Sequence, residues 1–506
     1  MSVTPSLKAE VADVLDQQNF SKQRRLTVTD FFLLLLLTFG SLLVAGYHPW
    51  AEDSEIYLPG VEKILQPQLF PFNAQFFLAH QHSTIYPDLV AESVKLSHLP
   101  LEYALFAWQL VAIFLFLLAC WELSRRCFTD PRACWAGVAL VAALLTLPVA
   151  GTALYIIDQY PNPRNLAAFL SLFAIVRVLD KKYVQAGLIL VLTAAIHPLM
   201  SAFAIFYCGL LLLVERFDLR ASTFAAILPF GLSFDPPSPA YHYAALREPF
   251  HYITRWRWYE LLGALAPLAI LWGFSHLAKK RRLHNLDLAS RALIVYELIC
   301  LPPALMLSVV PRLESLARLQ PMRSLFLLYI LMFLFGGCLL GEYVLKNHIW
   351  RWLLLFVPLC TGMFLAQRAL FPMSAHIEWP AAAPRNPWLQ AFVWIRNNAP
   401  NDAVFALNPE QMELPGADEQ GFRAAAQRSM LADSRDGGAA SMFPELADEW
   451  WLQMQARRGW TNFQLADFQR LASDYGASWF VIEQPQRAGL DCPYQNATVL
   501  VCRIRP

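Results

Sequence analysis

The stretch LTVTDFFLLLLLTFGSLLVAGYHPWAEDSEIYLPG, Leu26 to Gly60, joins a long apolar run to a cluster of acids. Its apolar run, residues 29–46, is close to the roughly 20 residues that a helix needs to cross a bilayer. Three carboxylates, Glu52, Asp53 and Glu55, follow it at once. The rest of the chain explains why such a cluster is unusual. Of its 506 residues 57% are hydrophobic and only 16% charged, and the mean hydropathy is +0.38, too apolar for a soluble protein of this size.

Ten further apolar segments follow, near residues 103–123, 133–152, 164–179, 183–196, 199–214, 221–234, 258–277, 289–310, 322–341 and 349–371. The predicted fold class is therefore a polytopic α-helical membrane protein with about 11 transmembrane helices. Segments 183–196 and 221–234 are short for a crossing and fit re-entrant or buried helices as well. The run AGLILVLTAAIHPLMSAFAIFYCGLLLL reads either as one kinked helix or as two passes meeting at His197 and Pro198. Basic residues at both of its ends favour two passes.

Lys and Arg are retained on the cytoplasmic side. Lys22, Arg24 and Arg25 precede the first segment, and SRRCFTDPR, LDKKY, ERFDLR, AKKRRLHN and YVLKNHIWR fall at every second connection. The expectation is a cytoplasmic N-terminal tail (residues 1–28), with no cleaved signal peptide, a transmembrane domain (29–372) and an outward-facing C-terminus. The net charge of +1 hides a segregation of charge along the chain and says nothing about a nucleic-acid partner, but no basic block suited to one occurs, so none is expected. The first outer loop, 47–102, is far longer than a helix connection requires. Within it SEIYLPGVEKILQ and YPDLVAESVKLSHL are spaced as two amphipathic interfacial helices.

Residues 380–506 are different in kind, richer in charge and without lysine. A helical pattern, NPWLQAFVWIRNNAP, precedes short apolar runs, DAVFALN, ASWFVIEQ and ATVLVCRI, that read as strands. This is a small outer, or periplasmic, α/β domain, in which an oxidising compartment would permit a bridge between Cys492 and Cys502. No phosphate loop, nucleophile elbow or Cys/His set with metal-site spacing occurs.

The acidic first loop, the span count and the C-terminal domain together resemble the GT-C superfamily of polyprenyl-phosphate-dependent glycosyltransferases. The phrases EDSEIYLPGVEKILQPQLFP, NPRNLAAFLSLFAIV followed by IHPLM, WIRNNAPNDAVFAL and YGASWFVIE carry the likeness. It implies a multi-pass protein of a bacterial inner membrane that meets membrane lipids and takes a sugar from a polyprenyl-phosphate donor. The sugar would pass, on the outer face, to a lipid, glycan or protein acceptor. Such transfer needs a carboxylate to take the acceptor proton and cations, or a metal ion, to offset charge on the leaving phosphate.

In this resemblance Asp53 is the expected base, with Glu52 beside it. The bland counterpart is that both favour the N-terminus of the helix from Ser54, an effect of about 0.3 to 1 kcal/mol. Asp158 stands where a second acid orients the acceptor or binds a divalent ion, or is simply a solvated loop residue. Arg164 would face the same cavity, or snorkel to the interface. Arg255, Arg257, Arg312, Arg318 and Arg323 place guanidinium groups on the face where positive charge is normally scarce, which suits a lipid phosphate; the competing reading is phospholipid headgroup anchoring, aided by Trp256 and Trp258 as an interfacial belt, and it weighs equally for the tryptophan pair. Arg323, just after a proline, is the favoured phosphate ligand. His197 is a substrate-site candidate or a structural helix-end histidine. His80 and His82 lack a third ligand, so no metal site is assigned. Asn73 stands where similar loops often have aspartate, which leaves a non-catalytic envelope-assembly component open beside the enzyme and a lipid-linked saccharide transporter. The transporter is disfavoured by the lack of repeated halves.

Overall fold

The computed structural model describes residues 26–217 and 238–504. Helix α1 (Val28–Ala45) starts where the Thr27 side chain accepts from the Asp30 N–H while the Asp30 carboxylate accepts from Thr27 N–H, a reciprocal cap. It ends at Gly46, whose φ of +81° turns the chain into the first loop. The loop carries α2 (Ser54–Leu65), α3 (Gln75–Gln81) and α4 (Tyr86–Ser97). The two amphipathic helices expected there form, with a third short one between them.

Helix α5 (Leu101–Cys127) runs 27 residues, about 40 Å at 1.5 Å per residue. Helix α6 (Pro131–Ala143) is shorter than the segment read from sequence. The chain breaks into turns after Ala143, and Pro148, which has no N–H for a helix ladder, pairs instead with Tyr155 in an isolated bridge. Helix α7 (Pro163–Leu179) is followed by α8 (Tyr183–Ile196) and α9 (Pro198–Phe217). His197 is extended (φ −152°, ψ 93°), and the Ser201 hydroxyl donates to Leu190 O at 3.1 Å, so α8 and α9 fold against each other as two helices. The expected segment 221–234 lies outside the described residues, as does most of the N-terminal tail.

The membrane part continues with α10 (Pro239–Arg247), α11 (Trp258–Arg281), α12 (His284–Val309), α13 (Leu325–Leu340) and α14 (Ile349–Leu370). Among the described residues seven helices are long and apolar enough to cross a membrane: α1, α5, α9, α11, α12, the run Pro311–Leu345 that contains α13, and α14. The α13 run is the most enclosed, whereas α14 shows Leu353, Leu354, Val357 and Leu365 to the outside, a face suited to lipid. Helices α6 and α13 approach closely through small residues. A Cβ on Gly137 would collide with Cys338 Sγ, and one on Gly337 would lie 2.8 Å from Gly137 Cα. That is how membrane helices gain packing when lipid removes the hydrophobic drive between them.

The C-terminal part holds α15 (Pro387–Asn398), β1 (Val404–Leu407), α16 (Phe422–Ala426), β2 (Ser429–Met430), α17 (Asp436–Met442), α18 (Ala447–Ala456), α19 (Leu465–Tyr475), β3 (Trp479–Glu483), β4 (Leu490–Gln495) and β5 (Val499–Ile504). The strand order is β2-β1-β3-β5-β4, parallel on the β1 side and antiparallel between β3, β5 and β4. Cys492 and Cys502 are bridged across β4 and β5.

One buried apolar cluster joins this sheet domain to the loop helices and the membrane part. Trp388, Phe392, Phe405 and Phe422 pack with Leu58 and Val61 of α2, Val90 of α4, Leu105 of α5 and Leu166 of α7. Asn73 (φ +59°) sits in this junction. Its amide donates to Met430 O at 2.9 Å and to Gln453 Oε1 at 2.7 Å, which makes it a fastener between loop and domain.

Candidate functional site

After Gly46 the chain is pinned on two sides. His48 N–H donates to Gln159 O (2.9 Å), and Ala51 pairs with Gln420 of the C-terminal domain. Glu52 N–H donates to Glu419 O at 2.9 Å. Glu52, Asp418 and Glu419 all have φ near +50°, a backbone state that costs a non-glycine residue on the order of 1 to 3 kcal/mol and persists only where surrounding contacts impose it. The strain lies where the two parts of the protein meet at the acidic cluster.

The cluster divides. Glu55 turns away and accepts from the N–H groups of Arg423 (3.0 Å) and Ala424 (3.1 Å), while the Arg423 guanidinium pairs with Asp436. Gly421 is needed for that approach, since a Cβ there would lie 2.5 Å from Glu55 Oε2. Burial pushes the Glu55 carboxyl up to about 8 against the pull of Arg423. Glu55 is thus an anchor for the C-terminal domain.

Glu52 and Asp53 meet the second loop. Arg164 Nη1 donates to Asp53 Oδ2 at 2.7 Å, and its Nη2 donates to Asp158 Oδ2 at 3.1 Å. Asn162 also donates to Asp158 (2.6 Å), and its own carbonyl caps α7 by accepting from Asn165 N–H. Pro163 at the first helical position, where an N–H has no partner anyway, completes the helix start that aims Arg164. Tyr160 Oη donates to Glu52 Oε2 and Gln159 Nε2 to Glu52 Oε1, each at 3.3 Å. From the C-terminal domain Arg435 reaches Glu419 at 2.7 Å and Asp53 at 3.7 Å.

These contacts push the two adjacent carboxyls in opposite directions. Burial raises the Asp53 carboxyl, but the guanidinium groups of Arg164 and Arg435 and the Arg164 hydrogen bond outweigh it and hold it at about 2. Burial and the Glu419 carboxylate push Glu52 well above the ordinary carboxylate range, with Arg435 opposing. Asp158 is raised by burial despite Arg164. Asp53 is therefore a fixed anion, and Glu52 is the carboxylate with proton affinity.

Arg323, in the short turn just before α13, lies near this group. Its guanidinium stacks over the Phe250 ring at 4.8 Å and has no carboxylate within 4 Å among the described residues, yet it is close enough to help lower Asp53. It also borders a small apolar void with Met200, Phe203 and Phe326. His197 sits at the turn between α8 and α9 and accepts from Met200 N–H at 3.4 Å. Burial, with Arg164 and Arg323 nearby, holds its ring at about 3, so it is neutral.

The structure does not gather the other arginines here. The Arg255 guanidinium donates to Leu246 O, Arg257 is exposed and donates to Tyr259 Oη, and Arg312 and Arg318 are exposed. They lie on short helical turns whose side chains point to the surface, so charge on the same loops did not mean convergence. Trp256 is buried against Gly151, while Trp258 is exposed. Residues that were not picked out from sequence complete the site: Gln159, Tyr160, Glu248, Glu419 and Arg435. Gln159 and Tyr160 stand next to Asp158 in YIIDQYPNPRN, and that proximity was the available signal. Arg435 and Glu419 carry none, being more than 360 residues from Asp53.

A cavity of about 470 Å3 opens beside Glu52. Residues 148–155, Arg247, Glu248 and the C-terminal residues Met412, Glu413, Glu419, Ser434 and Arg435 form its walls.

A divalent ion between the first-loop and second-loop acids does not fit these residues. The Arg164 guanidinium already bridges Asp53 and Asp158. Among the described residues no three His, Cys, Asp or Glu side chains are grouped to hold a metal.

No family model and no curated protein matches the chain. Solved structures of an oligosaccharyltransferase from Archaeoglobus fulgidus align with it over most of its length. The complex with Zn and sulfate aligns at 14% identity and a TM-score of 0.42, covering 89% of this chain and 67% of that one. The form tethered to an acceptor peptide containing the NVT sequon gives 12%, 0.47, 90% and 69%. The complex of this archaeal enzyme, AglB, with an inhibitory peptide and a dolichol-phosphate gives 12%, 0.45, 90% and 69%.

Proposed function

We propose that the protein is an integral-membrane glycosyltransferase that moves a sugar from a polyprenyl-phosphate donor to an acceptor hydroxyl. The reaction would take place on the outer face of the inner membrane, where the first loop and C-terminal domain would lie. The observation that carries this reading is Arg323: a recessed guanidinium without a carboxylate partner among the described residues, beside a cluster that holds Glu52, Asp53 and Asp158. An unpaired cation in such a place is costly unless an anion visits it. A phosphate on a membrane-embedded lipid has the charge, and arginine has the geometry to bind it.

In the proposed reaction the acceptor oxygen attacks the anomeric carbon of the donor. The bond from that carbon to the phosphate oxygen breaks, and its electron pair leaves with polyprenyl phosphate, where Arg323 offsets the charge. The acceptor proton goes to Glu52. Its raised proton affinity suits a base, whereas a carboxylate held at about 2 is a weak one. Asp53 has the separate role of fixing Arg164 and Arg435, and Asp158 that of holding Arg164 from the other side. His197, neutral, lines the region without carrying charge. Arg255, Arg257 and Arg318 fit headgroup anchoring.

Native mass spectrometry of the detergent-purified chain tests this, with polyprenyl-phosphate hexose and phosphatidylglycerol in competition. The polyprenyl species is expected to be retained selectively, and Arg323→Gln to lose that selectivity. Equal retention of both lipids by both proteins would refute the donor site and favour a non-catalytic envelope component.

A further inference from the structure

We infer that the cavity beside Glu52 is the acceptor subsite and that it takes a saccharide, a ligand rich in hydroxyl donors, in preference to a peptide. The inference rests on the glycosyltransferase reading.

The cavity has the volume of a small-molecule site, about 470 Å3 within the roughly 300 to 1,000 Å3 usual for such sites. It is bounded by four separate parts of the chain: the first loop at Glu52, the turns after α6, the end of α10, and the C-terminal domain. Glu52 stands in its wall, so a hydroxyl bound there reaches the proposed base.

Its polar groups are unbalanced in a way that selects the ligand. Both arginines are committed, Arg247 to Glu410 and Glu413 at 3.1 and 3.3 Å, and Arg435 to Glu419 and Asp53. The Glu248 carboxylate, by contrast, faces the cavity with no hydrogen-bond or ion-pair partner among the described residues. It lies beside Gly438, where an added Cβ would come within 3.4 Å of Glu248 Oε1. Of the groups left over, the Tyr155 and Ser434 hydroxyls can donate or accept and the Glu248 carboxylate can only accept, so acceptors exceed donors. A peptide backbone brings a carbonyl for each N–H and needs donors in return, together with an open groove for an extended chain. A sugar ring brings several hydroxyls that donate, one to Glu52 and its neighbours to Glu248.

The test uses the full chain in lipid nanodiscs with polyprenyl-phosphate hexose. The acceptors are methyl hexosides, a disaccharide, and a peptide carrying Ser, Thr and Asn. Transfer to a saccharide is expected. In Glu248→Gln the acceptor KM should rise about tenfold, the size of one lost hydrogen bond to a charged group. kcat should stay within about twofold, and Glu248→Asp should recover part of the loss. Donor retention by native mass spectrometry should be the same in all three proteins. Transfer to the peptide and not to saccharides, or an unchanged KM in Glu248→Gln, would overturn the inference. Saturation-transfer NMR with a methyl hexoside gives a second readout, and an absence of binding by the wild-type protein would also overturn it. Either failure with intact donor retention leaves the donor reading standing, whereas loss of selective donor retention sinks both.

Discussion

Arg164→Gln tests the electrostatic construction of the site most directly. Arg164 is 6% exposed and pairs with Asp53, 21% exposed, and Asp158, 3% exposed. Asp53 is held at about 2 against an ordinary 3.8, equivalent to roughly 2 to 3 kcal/mol at 1.36 kcal/mol per unit. That is the net effect after burial has pushed the other way, so the attraction of the arginines exceeds it. A folded-state value below the unfolded one adds stability above pH 4 that is lost as the pH falls from about 4 to about 2. Removing the guanidinium leaves two recessed carboxylates without their shared partner, a loss of about 3 to 5 kcal/mol. Burial then raises Asp53, so the deficit is largest at pH 7 and shrinks toward pH 4.

The assay is the thermal midpoint in detergent at pH 7 and pH 4 for wild type, Arg164→Gln, Asp53→Asn and the double variant. The double variant should be more stable than Arg164→Gln alone at pH 7, because the amide that replaces the Asp53 carboxylate carries no charge to strand. Additive losses, with a deficit equal at both pH values, would refute the reasoning, since residues in one charge network do not add.

Three further outcomes follow from other features. Gly137→Ala should lower the thermal midpoint by an amount equivalent to about 1 to 3 kcal/mol, because the added methyl meets the Leu334 backbone O at 2.6 Å as well as Cys338; an unchanged midpoint would mean α6 and α13 part at no cost. Transfer activity should be unchanged by EDTA, since Arg164 occupies the space between Asp53 and Asp158; inactivation by the chelator, reversed by a divalent ion, would refute this. The acceptor KM should rise as the pH falls through about 6, where burial places the Glu248 carboxyl against the pull of Arg435, Arg323 and Arg247, with Asp53 pushing it up. In Glu248→Gln that dependence should vanish, and a KM profile identical to wild type would show that Glu248 does not meet the acceptor.

Much of the architecture is written in local pattern. The apolar run ending at Gly46 has the length of a bilayer crossing, the first-loop helices have spaced apolar positions, and VFAL, WFVIE and VLVCRI are short apolar runs bounded by turn residues. Each is a property of neighbouring residues, so the sequence determines it without help. The helix read over 133–152 was too long for the same reason: hydropathy continues past Ala143, but Pro148 and the Tyr155 bridge end the ladder. The acidic pair, Asp158, Arg164 and Arg323 were also legible, because charge is scarce in this chain and stands out.

How those charges are shared depends on the packing of distant parts of the chain. Glu52, Asp53 and Glu55 are nearly adjacent, yet Glu55 fastens α16, Asp53 is locked by Arg164, and Glu52 keeps proton affinity. The difference comes from Glu419, Arg423 and Arg435, more than 360 residues away along the chain. The same holds for the arginines, of which Arg323 turns inward while Arg255, Arg257 and Arg318 remain at the surface. A carboxylate's field depends on distance and burial. Those are set when α2, the second loop and the C-terminal sheet domain pack around one apolar cluster, and composition along the chain does not contain them.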